Sequence, residues 1–162
     1  MNTVDALKAC SLFKGFTDTG LLIVGGIATS RAFPSKAPLF VENMIGDSML
    51  IIAQGQVRLT SKNAAGDEVE LGELGPGDYL GELSLVGPSQ RLCTATALTN
   101  VAALELRQAD FQKLLAQKPQ ACIKLLMGVI RQFGQKVVEN RAAFKQLIPG
   151  GGGSAGSGGF RA

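Results

Sequence analysis

The 162-residue chain has no histidine, no tryptophan, three cysteines and a single tyrosine. Without histidine the Ser-His-Asp and Cys-His nucleophile arrangements are impossible, and most catalytic zinc sites lose their usual ligand. Cys10, Cys93 and Cys122 are odd in number and widely, irregularly spaced, which fits neither a metal-ligand set nor a disulfide framework. They read as small buried apolar side chains in a reducing cytoplasm. No run approaches the roughly 18 apolar residues of a membrane span. The first twenty residues lack a basic start followed by an apolar stretch, so no signal peptide is expected. With no nucleophile–base pair and no metal cluster in view, the expectation is a cytoplasmic protein that is not an enzyme and uses no metal or cofactor.

What is present suits one ordinary domain. Hydrophobic residues make up 46% of the chain and charged ones 18%, enough apolar surface for a core and too little charge for a disordered chain. The charge is unevenly placed. Residues 1–106 carry seven Lys/Arg against eleven Asp/Glu, a net of −4, and residues 107–148 carry eight against two, a net of +6. A basic helical end suits nucleic acid, an anionic surface or an acidic partner, and equally a solvated helix face.

The hydrophobic pattern changes period twice. Residues 2–9 and 17–28 read as short helices, the second capped by Thr17 or Asp18. From about Ala28 to Leu106 short apolar or alternating runs take over: 39–41, 49–53, 56–60, 68–71, 94–98 and 101–106. Turn clusters such as Gly75-Pro76-Gly77-Asp78 and Gly87-Pro88-Ser89 separate them, the texture of a sandwich or barrel. A helix then covers about 108–117, and a second begins at Pro119, a favoured first helical residue, and runs to about Ile148. Along it Ile123, Leu126, Ile130, Phe133, Val137, Asn140, Phe144 and Leu147 alternate at spacings of three and four. That is a heptad seam with one polar position, the kind that fixes register between paired helices. Some 30 residues make a rod of roughly 45 Å, longer than a small barrel covers, so a homodimer through residues 123–147 is expected. Residues 149–162 are a Gly/Ser-rich flexible tail.

The most informative stretch is Leu74–Ala97. Gly81-Glu82-Leu83-Ser84-Leu85 reads as one helical turn entered through glycine, and the N–H groups at such a turn form an anion nest. Arg91 lies nine residues beyond Glu82 and can meet the same anion as a charged fork. Glu82 is a poor phosphate ligand but a good acceptor for a sugar hydroxyl, as acidic residues are in dinucleotide folds. Together they describe a site for a small phosphorylated ribose. The bland alternative is that Glu82 and Arg91 simply pair with each other.

This segment resembles the phosphate-binding cassette of the cyclic nucleotide-binding domain family, which includes catabolite activator proteins and protein kinase A regulatory subunits. Gly81-Glu82-Leu83-Ser84-Leu85 and Arg91-Leu92-Cys93-Thr94 with Ala97 carry the resemblance. So do Glu42–Ile52, Gly55–Leu59 and Ser11–Phe16, in the same order. The resemblance spans about residues 5–148 and implies an α+β fold. That fold is an antiparallel β-roll or jelly-roll barrel flanked by N-terminal helices and a long C-terminal helix. Residues 1–148 are then one cyclic nucleotide-binding domain, with 119–148 its dimerising helix. It implies that Glu82 takes the ribose 2′-hydroxyl and Arg91 the exocyclic phosphate. Gly81, the N–H groups of Leu83 and Ser84, and Leu92, Cys93 and Thr94 complete the cradle. Arg131, Phe133 or Val137 caps the base. Leu92 stands where cGMP-preferring members often carry Thr, which turns the expectation toward cAMP. Beyond Ile148 only fourteen Gly-rich residues follow, so sequence-specific DNA binding by this chain alone is not expected. The function expected is a cAMP-responsive regulatory module acting on a partner protein. An alternative is an adaptor of the same fold that has lost its ligand and works through its basic helix and tail.

Overall fold

The computed structural model describes residues 2–142. Helix α1 (Thr3–Ala9) opens where the Asn2 side chain accepts the Val4 N–H, satisfying one of the donors every helix start leaves open. A 3-10 turn, Ser11–Phe13, leads to α2 (Asp18–Gly25), whose Thr17 cap hydroxyl accepts the Gly20 N–H at 3.1 Å. The helical pattern reads on to residue 28, yet α2 stops at Gly25. The tandem Gly25-Gly26 weakens continuation, and Ala28 already belongs to a strand.

The strands are β1 (Ala28–Phe33), β2 (Pro38–Phe40), β3 (Ile45–Gly46), β4 (Ser48–Gln54), β5 (Val57–Lys62), β6 (Glu68–Leu74), β7 (Tyr79–Leu80), β8 (Ser89–Gln90), β9 (Thr94–Ala97) and β10 (Val101–Arg107). One antiparallel sheet has the order β1-β10-β4-β7 and a second β2-β9-β5-β6, while β3 and β8 form a separate ribbon. The fold is the α+β jelly roll that the sequence suggests. Strand β4 shows how its layers arise. Successive side chains point to opposite faces, and Met49 and Ile51 join one buried cluster while Leu50 and Ile52 join the other. The first cluster packs the sheet against Leu7, Phe13, Leu21, Val24, Phe111 and Leu125 of the helical segments. The second includes Val57, Ala95, Ala97 and Ala103 of neighbouring strands. A strand buried on both faces reads as an unbroken apolar run, as Met49–Ala53 does.

Helix α3 (Gln108–Gln117) starts where the Gln108 N–H donates to the Asp47 carbonyl at 2.8 Å. Helix α4 (Pro119–Glu139) begins at the expected proline. Its buried residues Cys122, Leu125 and Val129 form an inner seam, and at Gly128 a Cβ would stand only 2.8 Å from the Leu12 carbonyl oxygen. The heptad seam is a different stripe: Ile123 is exposed and Leu126 only partly buried. No described helix is long and apolar enough to cross a membrane.

The chain divides between Val129 and Ile130 into two compact units. In the second, Ile130, Phe133 and Val138 are exposed, and Asn140, just past the end of α4, donates both its backbone and its side-chain N–H to the Lys136 carbonyl. Phe144, Leu147, the expected helix end at Ile148 and the tail lie outside the described residues.

Candidate functional site

The cassette is delivered by short strands. A tight turn comes first, where the Gly75 N–H donates to the Asp78 carboxylate at 2.8 Å. Strand β7 then pairs Leu80 and Tyr79 with Leu50 and Ile51. The chain reverses at Gly81, whose φ of 79° is the left-handed region that glycine enters freely. A 3-10 turn over Glu82–Leu85 follows, as the sequence indicates. Its first bond runs from the Ser84 N–H to the Gly81 carbonyl at 3.0 Å. The Ser84 N–H expected in the phosphate cradle is therefore already used, and the open end of the turn presents the donors before it. Leu85 anchors the turn in the core.

The far side of the cassette is clamped by the β3–β8 ribbon. The Arg91 N–H donates to the Met44 carbonyl, and the Arg91 carbonyl accepts the Asn43 N–H, both at 2.8 Å. The Arg91 side chain then turns inward and is only 8% exposed. Its Nη1 donates to Ser84 Oγ at 3.1 Å and its Nη2 to the Ser48 carbonyl at 2.8 Å. Its guanidinium carbon lies 3.5 Å from the centroid of the Phe40 ring. A Cβ at Gly46 or at Gly81 would collide with this guanidinium, so both positions must be glycine for it to lie there. Ser84 Oγ also bonds Ser89 Oγ at 2.9 Å, which ties the turn to β8.

Among the described residues Arg91 forms no ion pair. The bland alternative, a Glu82–Arg91 bridge, is absent there. Burial lowers the arginine's pKa, and the charges of Asp47, Cys93, Glu105 and Glu82 act against that effect. Burial likewise pushes the Tyr79 hydroxyl up to about 12, with the Glu82 charge the next cause. A buried cation whose contacts are neutral acceptors and an aromatic face is suited to receive an anion.

The structure thus brings Gly81, Ser84 and Arg91 together. Glu82 stays half-buried, and Leu83 and Leu92 are exposed, Leu92 by 76%. Thr94 has a structural task, its hydroxyl accepting the Glu42 N–H at 3.0 Å. Glu42 in turn accepts from the Ser61 hydroxyl and the Lys62 N–H. Cys10 and Cys122 are buried as expected, whereas Cys93 is only half-buried. A cavity of about 250 Å³ lies on Arg91, lined also by Arg31, Phe33, Phe40, Ser48 and Glu105. Of the expected ligand-binding residues only Arg91 lines it. Arg131, Phe133 and Val137, expected to cap a base, belong to the second unit. Phe40, Gly46, Ser48 and Ser89 escape a sequence reading of the site. Phe40 looks like any strand aromatic, and the Ser48 contact is made by its backbone.

Known proteins resemble this chain in sequence and fold. Residues 30–118 match the family model of the cyclic nucleotide-binding domain. The Cyclic AMP receptor protein of Thermus thermophilus is 27% identical over 133 residues, covering 82% of this chain and 62% of that protein. The N-terminal domain of a transcriptional regulator from Streptomyces coelicolor A3(2) superposes with a TM-score of 0.73 at 31% identity, covering 84% of this chain and 93% of that one. The Catabolite Activator Protein of Thermus thermophilus gives a TM-score of 0.75 at 25% identity, covering 85% and 62%. The chain spans about three fifths of the length of the first curated relatives it matches. With the family model matched across more than half of its residues, cassette included, the chain belongs to the cyclic nucleotide-binding domain family.

Proposed function

We propose that the protein is a cytoplasmic cyclic nucleotide receptor that acts as a ligand-responsive regulatory module, by binding rather than by catalysis. The observation that carries this reading is Arg91: a buried cation with no carboxylate partner among the described residues, held beside the Gly81 turn. A cyclic phosphate supplies the missing negative charge, and the Glu82 carboxylate is the acceptor offered to the ribose 2′-hydroxyl. The preferred ligand is cAMP over cGMP, because Leu92 offers no hydroxyl to a guanine. The relatives named for cyclic AMP support the same direction. Binding works by population shift, the ligand favouring the cassette arrangement that holds it best. The exposure of Ile130 and Phe133 in the second unit supports pairing of two chains through residues 123–147.

Titration calorimetry with cAMP and cGMP on the full chain tests this. Saturable binding, tighter for cAMP and lost in Arg91→Ala by at least roughly tenfold, is expected. One observation favours the adaptor alternative: the guanidinium is already bonded and stacked, and the adjoining cavity excludes the rest of the cassette. Absence of heat with both nucleotides at millimolar concentration selects that alternative.

A further inference from the structure

We propose that Phe40 is a positioning residue for the ligand-binding cation, its ring face fixing the plane of the Arg91 guanidinium before any ligand arrives. The proposal rests on the nucleotide-receptor reading and names a residue that the cassette itself does not contain. The guanidinium carbon stands 3.5 Å from the ring centroid, well inside the range in which a cation is attracted by the negative face of an aromatic ring. The attraction is strongest where water is excluded, and Arg91 is 92% removed from solvent, at 8% exposure.

The stack is built from several sides. Phe40 is held in register opposite Ala95 of β9, and its ring edge also lies against Gly81. Gly46 and Gly81 leave no Cβ where the guanidinium lies. The Ser48 carbonyl and Ser84 hydroxyl hold Nη2 and Nη1 and so fix rotation within the plane. Neither of these neutral acceptors constrains tilt, and the ring is the group that does. Nε has no hydrogen-bond partner among the described residues. A long, rotamer-rich side chain ordered during folding need not be ordered again on binding. A flat, pre-set fork also suits the oxygen pair of a phosphate better than a mobile one. Phe40 therefore sets phosphate affinity without touching the phosphate.

The test is a double-mutant cycle read by calorimetry with cAMP. Phe40→Leu keeps apolar bulk and removes the ring; it is expected to weaken cAMP binding roughly tenfold, while Phe40→Tyr keeps the parental affinity within about twofold. In an Arg91→Lys background, which lacks the planar fork, Phe40→Leu is expected to change affinity less than about twofold. Phe40→Met stands in if the Leu variant does not fold. A purely structural role moves both backgrounds equally, and Tyr does not rescue it selectively. An equal loss in the two backgrounds, or no loss in Phe40→Leu, overturns the proposal while the receptor reading stands. A parent protein that binds no cyclic nucleotide overturns both.

Discussion

Two glycines six residues apart in α4 should respond to the same substitution with opposite sign. In a helix interior Gly→Ala gains about 1 kcal/mol, because alanine gives up less backbone freedom on folding. At Gly134 nothing lies within 4 Å of the added methyl, so Gly134→Ala is expected to realise that gain. At Gly128 the methyl would stand 2.8 Å from the Leu12 carbonyl oxygen and 3.7 Å from the Leu12 carbonyl carbon and Cα. That oxygen belongs to backbone in a 3-10 turn whose Leu12 and Phe13 side chains are buried, so helix or turn must give way by roughly half an ångström. Overpacking of this kind costs about 1–3 kcal/mol. Set against the propensity gain, Gly128→Ala is expected to lose about 1 kcal/mol net. The two variants should therefore differ by about 2 kcal/mol, which for a domain of this size is roughly 4–8 °C in Tm. Urea unfolding followed by circular dichroism, with equal slopes in all three proteins, gives the comparison. A Gly128→Ala protein as stable as Gly134→Ala would refute the close approach of α4 to Leu12.

Glu82→Gln keeps the shape of the cassette and removes its charge. The parent is expected to prefer cAMP strongly over its 2′-deoxy analogue and the variant only slightly, and identical ratios in calorimetry would remove Glu82 from the ribose contact. Burial raises the Cys10 thiol to about 11 from its ordinary 9.0, so the unfolded chain loses that proton first. Its contribution to stability is full below pH 9 and fades as pH rises through 11. Urea midpoints should fall between pH 8.5 and 10.5 by a larger amount than in Cys10→Ala, and equal falls would dismiss the effect. Cys93, half-buried, should react with a thiol reagent before Cys10 and Cys122 do. Light scattering should give a dimer mass for the parent and a monomer for a Phe133→Asp, Val137→Asp variant, whose added charges disrupt an apolar seam. A monomeric parent at tens of micromolar would refute the pairing.

Periodicity made the larger elements visible and hid the shorter ones. Met49–Ala53 and Val101–Leu106 announce β4 and β10 because both faces of each strand are buried, so nearly every position is apolar. Strand β1 carries Thr29, Ser30, Arg31 and Ala32 exposed in succession, and no alternation betrays it. Strands β3, β7 and β8 have two residues each, too few for any period, and exist through their partners. The site divides in the same way. Gly81, Glu82 and Arg91 are adjacent enough in sequence to read as one motif. Phe40 comes to Arg91 only through the pairing of β2 with β9, and Ser48 only through the inward turn of the arginine. Gly46 is a strand residue whose missing side chain makes room for a cation, a role no local pattern announces.

Three consecutive residues, Gly46, Asp47 and Ser48, touch three separate parts of the protein. Gly46 and the Ser48 carbonyl receive the Arg91 guanidinium, the Ser48 hydroxyl bonds Glu105, and the Asp47 carbonyl holds the Gln108 N–H at the start of α3. The amide proton of Gln108 is therefore a built-in reporter on the arginine. It is bonded to the carbonyl one peptide unit before the one that the guanidinium grips, although it lies outside the cassette. In a nitrogen–proton spectrum its resonance should follow occupancy of the cassette with no dye or engineered label attached.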